Sequence, residues 1–315
     1  MSGIWVARRA VAVVTALAIV GLVPATGHAA TARCGGDRAT IVGTRGDDRL
    51  VGTGRADVIA GLGGNDVILS RGGWDTVCGG PGDDVIVGGW GGDYAKGHGG
   101  NDQIYGEYRR TNRNRAISSC ATGFGAATST VACADILVGG HGRDMIAAGP
   151  NRDFVLGGGG DDVIRGQRGD DRLDGLAGDD TVRGGFGFDT IEYEWAPVGV
   201  HVDLAAGTAT GFGHDTLMAV EAVNGSRHAD ELHGDGGENW LAGIADGETG
   251  GGDDVVVGRG GPDYLTGGGG DDRIWGGPGR DSLYGEGGSD DWLNGGLAND
   301  DCFGETTRHC ERTSW

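Results

Sequence analysis

Aspartate recurs every ninth residue through two long stretches of the chain. Asp48, Asp57, Asp66, Asp75, Asp84, Asp93 and Asp102 make the first series. Asp135, Asp144, Asp153, Asp162, Asp171, Asp180 and Asp189 make the second. An apolar residue follows each Asp two positions later, among them Leu50, Ile59, Ile68, Val77, Ile86 and Ile104, then Leu137, Ile146, Val155 and Ile164. Glycine crowds the positions just before the Asp. A short period kept this strictly specifies a solenoid, in which each unit stacks on its neighbours instead of enclosing a core of its own.

The unit at residues 79–87, Gly-Gly-Pro-Gly-Asp-Asp-Val-Ile-Val, states the physics. Its three β-branched residues favour extended backbone. Side chains alternate across a strand, so only the middle one, Ile86, turns inward. The glycine-rich remainder suits a tight turn, because glycine reaches positive φ at little steric cost. Turn and strand, repeated twice, close one coil, and strands two units apart then lie parallel about 4.8 Å apart. The turns stack as well. Each column of turns gathers one carboxylate per layer among backbone carbonyls that the turn itself leaves unpaired. A hard cation meets both needs: calcium takes about 6–8 oxygen ligands, mixing carboxylates with carbonyls, whereas magnesium demands a stricter octahedron.

These units resemble the hemolysin-type calcium-binding repeat, the RTX nonapeptide Gly-Gly-x-Gly-x-Asp-x-apolar-x. Residues 157–164 and 267–274 fit it fully. The resemblance implies an all-β fold, a right-handed parallel β-roll with Ca2+ held between the turns of successive coils. It implies that Asp48 pairs with Asp66, Asp57 with Asp75 and Asp66 with Asp84. A Gly/Asp-rich tract of low complexity would be disordered, but here the apolar residue keeps the period too.

The pattern breaks in identifiable places. Residues 1–30 carry Arg8 and Arg9, an uncharged apolar run over 10–23 and small residues beyond it. That is a signal peptide, and it predicts export. Residues 31–105 hold an N-terminal cap and the first roll, with Ala39 where Asp belongs and Ile41 in the apolar slot. An insertion over 106–129 contains Arg109, Arg110, Arg113 and Arg115. It reads as a surface excursion, with a partner-binding loop as the alternative. The second roll spans 130–192. Residues 193–224 are irregular; Val198, Val200, Val202 and Leu204 alternate there and predict a strand, and the resemblance to secreted RTX proteins implies a wider layer of longer strands. A third roll spans 225–301, with Asp230, Asp254, Asp263, Asp272 and Asp281 in the ligand position and Asn239 in one of them. Six extra residues, 243–248, shift its frame, and one more enters near Asp290 and Asp291. Residues 302–315 form a C-terminal cap.

The net charge of −21 argues against nucleic acid or an anionic membrane as partner, since both want a basic face. After residues 1–30 no apolar run is long enough to span a membrane. Six cysteines in an exported chain permit disulfides. Sequence proximity favours Cys120–Cys133 and Cys302–Cys310, which leaves Cys34–Cys78. No catalytic motif occurs, and no non-repeat stretch exceeds about 35 residues, short of a typical domain. The expectation is therefore a secreted, non-enzymatic calcium-binding protein. The alternatives are an extracellular hydrolase or polysaccharide-modifying enzyme whose site lies in 193–224, near His201, His214, Asp203, Asp215 and Glu221, or an adhesive module that uses the Arg-rich loop of 106–129 to bind an acidic partner, an extracellular polysaccharide or protein.

Overall fold

The computed structural model describes residues 32–106, 134–244, 251–304, 306–308, 310 and 312–314. The predicted signal peptide, the Arg cluster of the insertion and the Cys120–Cys133 pair lie outside the described residues. Everything described is β-strand, turn or bend, and no helix there is long and apolar enough to cross a membrane.

Two sheets, of 15 and 14 strands among the described residues, run the length of the molecule. Consecutive units alternate between them, so strands two units apart become neighbours. Val67–Leu69, Val85–Val87 and Gln103–Tyr105 are parallel neighbours in the larger sheet, with Ile68, Ile86 and Ile104 in register. The middle residue of each such strand enters the space between the sheets. Ile59, Ile68, Val77, Ile86, Ala95, Ile104 and their counterparts onward to Leu293 are fully buried. The core is thus a ladder one side chain wide per strand. Leu50 is only half-buried, because its strand ends the larger sheet and no coil covers it on that side.

Two expectations are corrected. The strands are not uniformly three residues long. Many run six, such as Tyr94–Gly99 and Val163–Arg168, because the parallel pairing continues into the first turn residues, as in Gly80 against His98. Nor does the irregular segment hold longer strands. His201–Asp203, Thr208–Thr210 and His214–Met218 form a short antiparallel meander inside the larger sheet. Val200 and Val202 are buried as the alternation requires, whereas Val198 is exposed and precedes the strand. The ladder nevertheless passes through, since Val182 pairs with Leu217 and Ile191 with Val223.

The ends are fastened covalently. A hairpin of Arg33–Cys34 and Asp37–Arg38 covers the first coils, and Cys34 is bonded to Cys78. At the other end Cys302 fills an apolar slot and bonds Cys310. On the outer surface the strand spacing stacks aromatic rings: Trp240, Tyr264, Tyr284 and Phe303 follow one another at 4.9, 5.0 and 4.8 Å between centroids.

Candidate metal centre

The repeat aspartates line up in two columns, one along each edge where the sheets meet. Each uses its two carboxylate oxygens differently. One oxygen, Oδ1, accepts the backbone N–H of the Asp two units earlier. Asp48 N–H donates to Asp66 Oδ1 at 2.8 Å, Asp57 N–H to Asp75 Oδ1 at 2.8 Å and Asp66 N–H to Asp84 Oδ1 at 2.8 Å. The expected pairs are therefore neighbours in space. The column survives the insertion, where Asp102 N–H reaches Asp144 Oδ1 at 2.6 Å. It also survives the later frame shift, where Asp230 N–H reaches Asp254 Oδ1 at 2.7 Å.

The other oxygen, Oδ2, is buried and has no hydrogen-bond partner at Asp66, Asp84, Asp102, Asp144, Asp162, Asp171, Asp180 and Asp189. The same holds at Asp254, Asp263, Asp272, Asp281 and Asp300. An ionised carboxylate left this way is costly. Its neighbours are oxygens. A Cβ placed on Gly61 would run into Asp66 Oδ2 and the Gly79 carbonyl oxygen; one on Gly139 would meet Asp144 Oδ2 and the Gly157 carbonyl oxygen. Glycine five residues before the Asp thus keeps open a space lined by a carboxylate and a carbonyl of the next coil.

Burial raises the protonation equilibria of these groups. It pushes Asp84, Asp102, Asp162, Asp171, Asp180 and Asp263 up to about 7, and Asp254 up to about 8. Backbone N–H donation opposes the shift, and neighbouring carboxylates such as Asp84 and Asp144 beside Asp102 add to it. A bound cation would reverse the balance and hold the same groups ionised. Among the described residues no three His, Cys, Asp or Glu side chains gather as a metal-ligand set. The donors here are one carboxylate per turn plus backbone carbonyls, an all-oxygen set that fits calcium rather than a transition metal.

Four carboxylates outside the nine-residue count join the columns. Asp215 accepts Asp180 N–H at 3.1 Å, and Glu221 accepts Asp189 N–H at 2.9 Å. Asp291 and Asp300 accept the N–H groups of Asp272 and Asp281, each at 2.9 Å. Each is followed two residues later by a buried slot residue, Leu217, Val223, Leu293 or Cys302, and at Glu221 that acid-x-apolar signal survives without the preceding glycines.

Of the residues considered for catalysis in 193–224, His201 and Asp203 share one network. In it Glu231 pairs with both His201 and His233, and Arg259 contacts both His233 and Asp203. His214 and Asp215 are held by other partners. His201 faces Glu231 at 3.1 Å and His214 faces Asp179 at 3.5 Å. Asp203 is paired with Arg259 at 2.6 Å, and Asp215 accepts the Tyr193 hydroxyl at 2.8 Å.

The RTX calcium-binding nonapeptide repeat matches residues 35–54, 51–86, 87–108, 134–155, 156–191 and 248–283, together more than half of the chain. With its all-β solenoid and its columns of buried aspartates, the molecule is a calcium-binding β-roll. The chain belongs to the RTX calcium-binding nonapeptide repeat family, whose repeats bind Ca2+. No curated protein matches the chain.

Proposed function

We propose that the chain is an exported, non-enzymatic protein whose roll is held together by calcium, with the repeat aspartates and the carbonyls of the next coil as ligands. The observation that carries this reading is the row of buried Oδ2 atoms facing carbonyl oxygens across the glycine-kept spaces. A net charge of −21 on 315 residues supports it, since such a chain repels itself when compact unless cations intervene. Export is supported by the apolar leader over 1–30 and by two disulfides, which persist in oxidising compartments. A non-enzymatic role is supported by the sequence, which holds no catalytic motif and no non-repeat stretch of domain size. The domain limits drawn from the sequence, with rolls over 31–105, 130–192 and 225–301, belong to the same proposal, with Gly106 added to the first roll.

Equilibrium dialysis of the chain from residue 31 against calcium tests the reading. The expected result is many ions per chain, with affinities of roughly 10⁻⁴–10⁻³ M, the range of extracellular modules. No calcium bound at several times the upper end of that range would overturn it.

A further inference from the structure

The molecule contains two kinds of turn. Before Asp66, Asp75, Asp84 and Asp102 the second turn residue has a left-handed φ: Leu62 at 84°, Arg71 at 80°, Gly80 at 122° and His98 at 87°. The fourth residue is left-handed too, with Gly64 at 98°, Gly73 at 126°, Gly82 at 134° and Gly100 at 132°. Among the repeat turns described without a break, four, ending at Asp48, Asp57, Asp230 and Asn239, lack both features. Their second residues are Thr44, Thr53, Ser226 and Asp235, and their fourth are Gly46, Arg55, His228 and Gly237; none has positive φ. The chemistry explains the difference. A β-branched Thr strongly disfavours positive φ, and Ser, Thr and Asp bond the backbone two residues on. Gly46 N–H donates to Thr44 Oγ1 at 3.2 Å, Arg55 N–H to Thr53 Oγ1 at 3.2 Å, His228 N–H to Ser226 Oγ at 3.0 Å and Gly237 N–H to Asp235 Oδ1 at 2.7 Å.

This backbone aims the second residue's N–H at the closing side chain. Thr44 N–H donates to Asp48 Oδ2 at 2.5 Å, Thr53 N–H to Asp57 Oδ2 at 2.6 Å and Ser226 N–H to Asp230 Oδ2 at 2.6 Å. The Thr44 and Thr53 hydroxyls donate to the same Oδ2 atoms at 2.9 and 2.8 Å. The oxygen that stands without a partner in the other turns is here fully engaged. In the fourth turn Asp235 N–H donates to Asn239 Oδ1 at 2.8 Å, so a neutral amide closes it as well as a carboxylate does.

We propose that these four turns take no calcium and that each calcium array of the roll starts on them. The proposal rests on the reading that calcium sits at the repeat turns. The positions support it. The turns at Asp48 and Asp57 begin the two columns of the first roll, below Asp66 and Asp75. Those at Asp230 and Asn239 restart the two columns after the antiparallel meander, below Asp254 and Asp263. A turn that closes by its own hydrogen bonds presents a folded edge, on which the next coil finds a backbone N–H for its Asp Oδ1 before any ion arrives. Asp48, Asp57 and Asp230 are thereby removed from the ligand set that the sequence suggests.

Calcium counted per chain by native mass spectrometry, at saturation, tests this with Asp57→Asn, Asp84→Asn and Thr53→Gly. The expected result is the wild-type number for D57N, at least one ion fewer for D84N and one ion more for T53G, which frees Asp57 Oδ2 and allows a left-handed second residue. A loss in D57N equal to that in D84N overturns the proposal while leaving calcium binding intact. If D57N fails to fold, the count on T53G decides, and no gain overturns it. A wild-type chain that binds no calcium sinks the underlying reading and this one together.

Discussion

Within the nine-residue unit the demands on each position differ sharply. The Asp must bring one oxygen to the N–H of the previous coil and leave the other facing a carbonyl. In most units a glycine stands five residues before it, for space rather than for conformation, although Ser70 and Ala148 hold that position before Asp75 and Asp153. A Cβ on Gly79 would collide with Asp84 Oδ2 and crowd the Gly97 carbonyl oxygen at 3.0 Å. Gly79→Ala is therefore expected to remove at least one calcium ion, with a cost of about 1–3 kcal/mol for displaced backbone. Gly99→Ala, where a Cβ meets nothing within 4 Å, serves as the control. Calcium counts on the two variants check this, and equal counts would contradict it. The repeat aspartates and the apolar slots are legible in the sequence because both keep a fixed offset, Asp then apolar two residues on. Asp215 and Glu221 are hidden because both fall off the nine-residue count, and Glu221 also lacks the preceding glycines. The division between open and self-closed turns depended on φ at Thr44, Thr53, Ser226 and Asp235, which the repeat pattern alone did not separate from Leu62 or Arg71.

At the scale of the element, each turn is built across coils, and the long insertion shows how. The sequence reading placed its start at Gly106. Gly106 instead belongs to the turn: its N–H donates to the Ala147 carbonyl at 3.0 Å, it is buried, and a Cβ there would meet Asp135 Oδ2 and the Ala148 carbonyl oxygen. The described chain resumes at Ala134, and Asp135 is in the column, where Asp93 N–H reaches Asp135 Oδ1 at 2.7 Å. Joining Tyr105 to Thr130 would put a β-branched residue where glycine is needed. Replacing 107–133 by Gly-Asn-Gly keeps Gly106 and supplies the missing second to fourth positions. That variant is expected to fold with calcium as the parent does, since shortening a loop changes closure entropy by only about 1 kcal/mol, whereas the Tyr105–Thr130 join is expected to lose an ion. Calcium titrations of the two followed by tryptophan fluorescence check the contrast; equal behaviour would contradict this account of Gly106. The meander over His201–Met218 is the element least legible in the sequence. The alternation at Val200 and Val202 marked a strand correctly, but nothing in a single strand's pattern specifies an antiparallel partner.

For the whole molecule, stability is a matter of stacked charge. Burial pushes Asp84 and Asp102 up to about 7 and Asp254 up to about 8, against a value near 4 in an unfolded chain. A carboxyl whose folded value is raised favours the folded state while it is protonated, and that contribution fades as pH rises through the folded value. Without calcium the roll should therefore be more stable at pH 5 than at pH 8. With calcium the dependence inverts, because the ion competes with protons for the same oxygens, and calcium affinity should climb between pH 5 and 8. Thermal unfolding in chelator and in calcium at the two pH values checks both signs; a chelated chain more stable at pH 8 would contradict them. Coils contact only their neighbours, so loss of the ions should release the roll as a whole once several layers repel. The most direct measurement is far-ultraviolet circular dichroism of the chain from residue 31 at pH 8, titrated from excess chelator into calcium. The account predicts a largely unstructured spectrum at the start and a β-sheet spectrum that develops cooperatively through roughly 10⁻⁴–10⁻³ M calcium. A full β-sheet spectrum in chelator, unchanged by calcium, would contradict it.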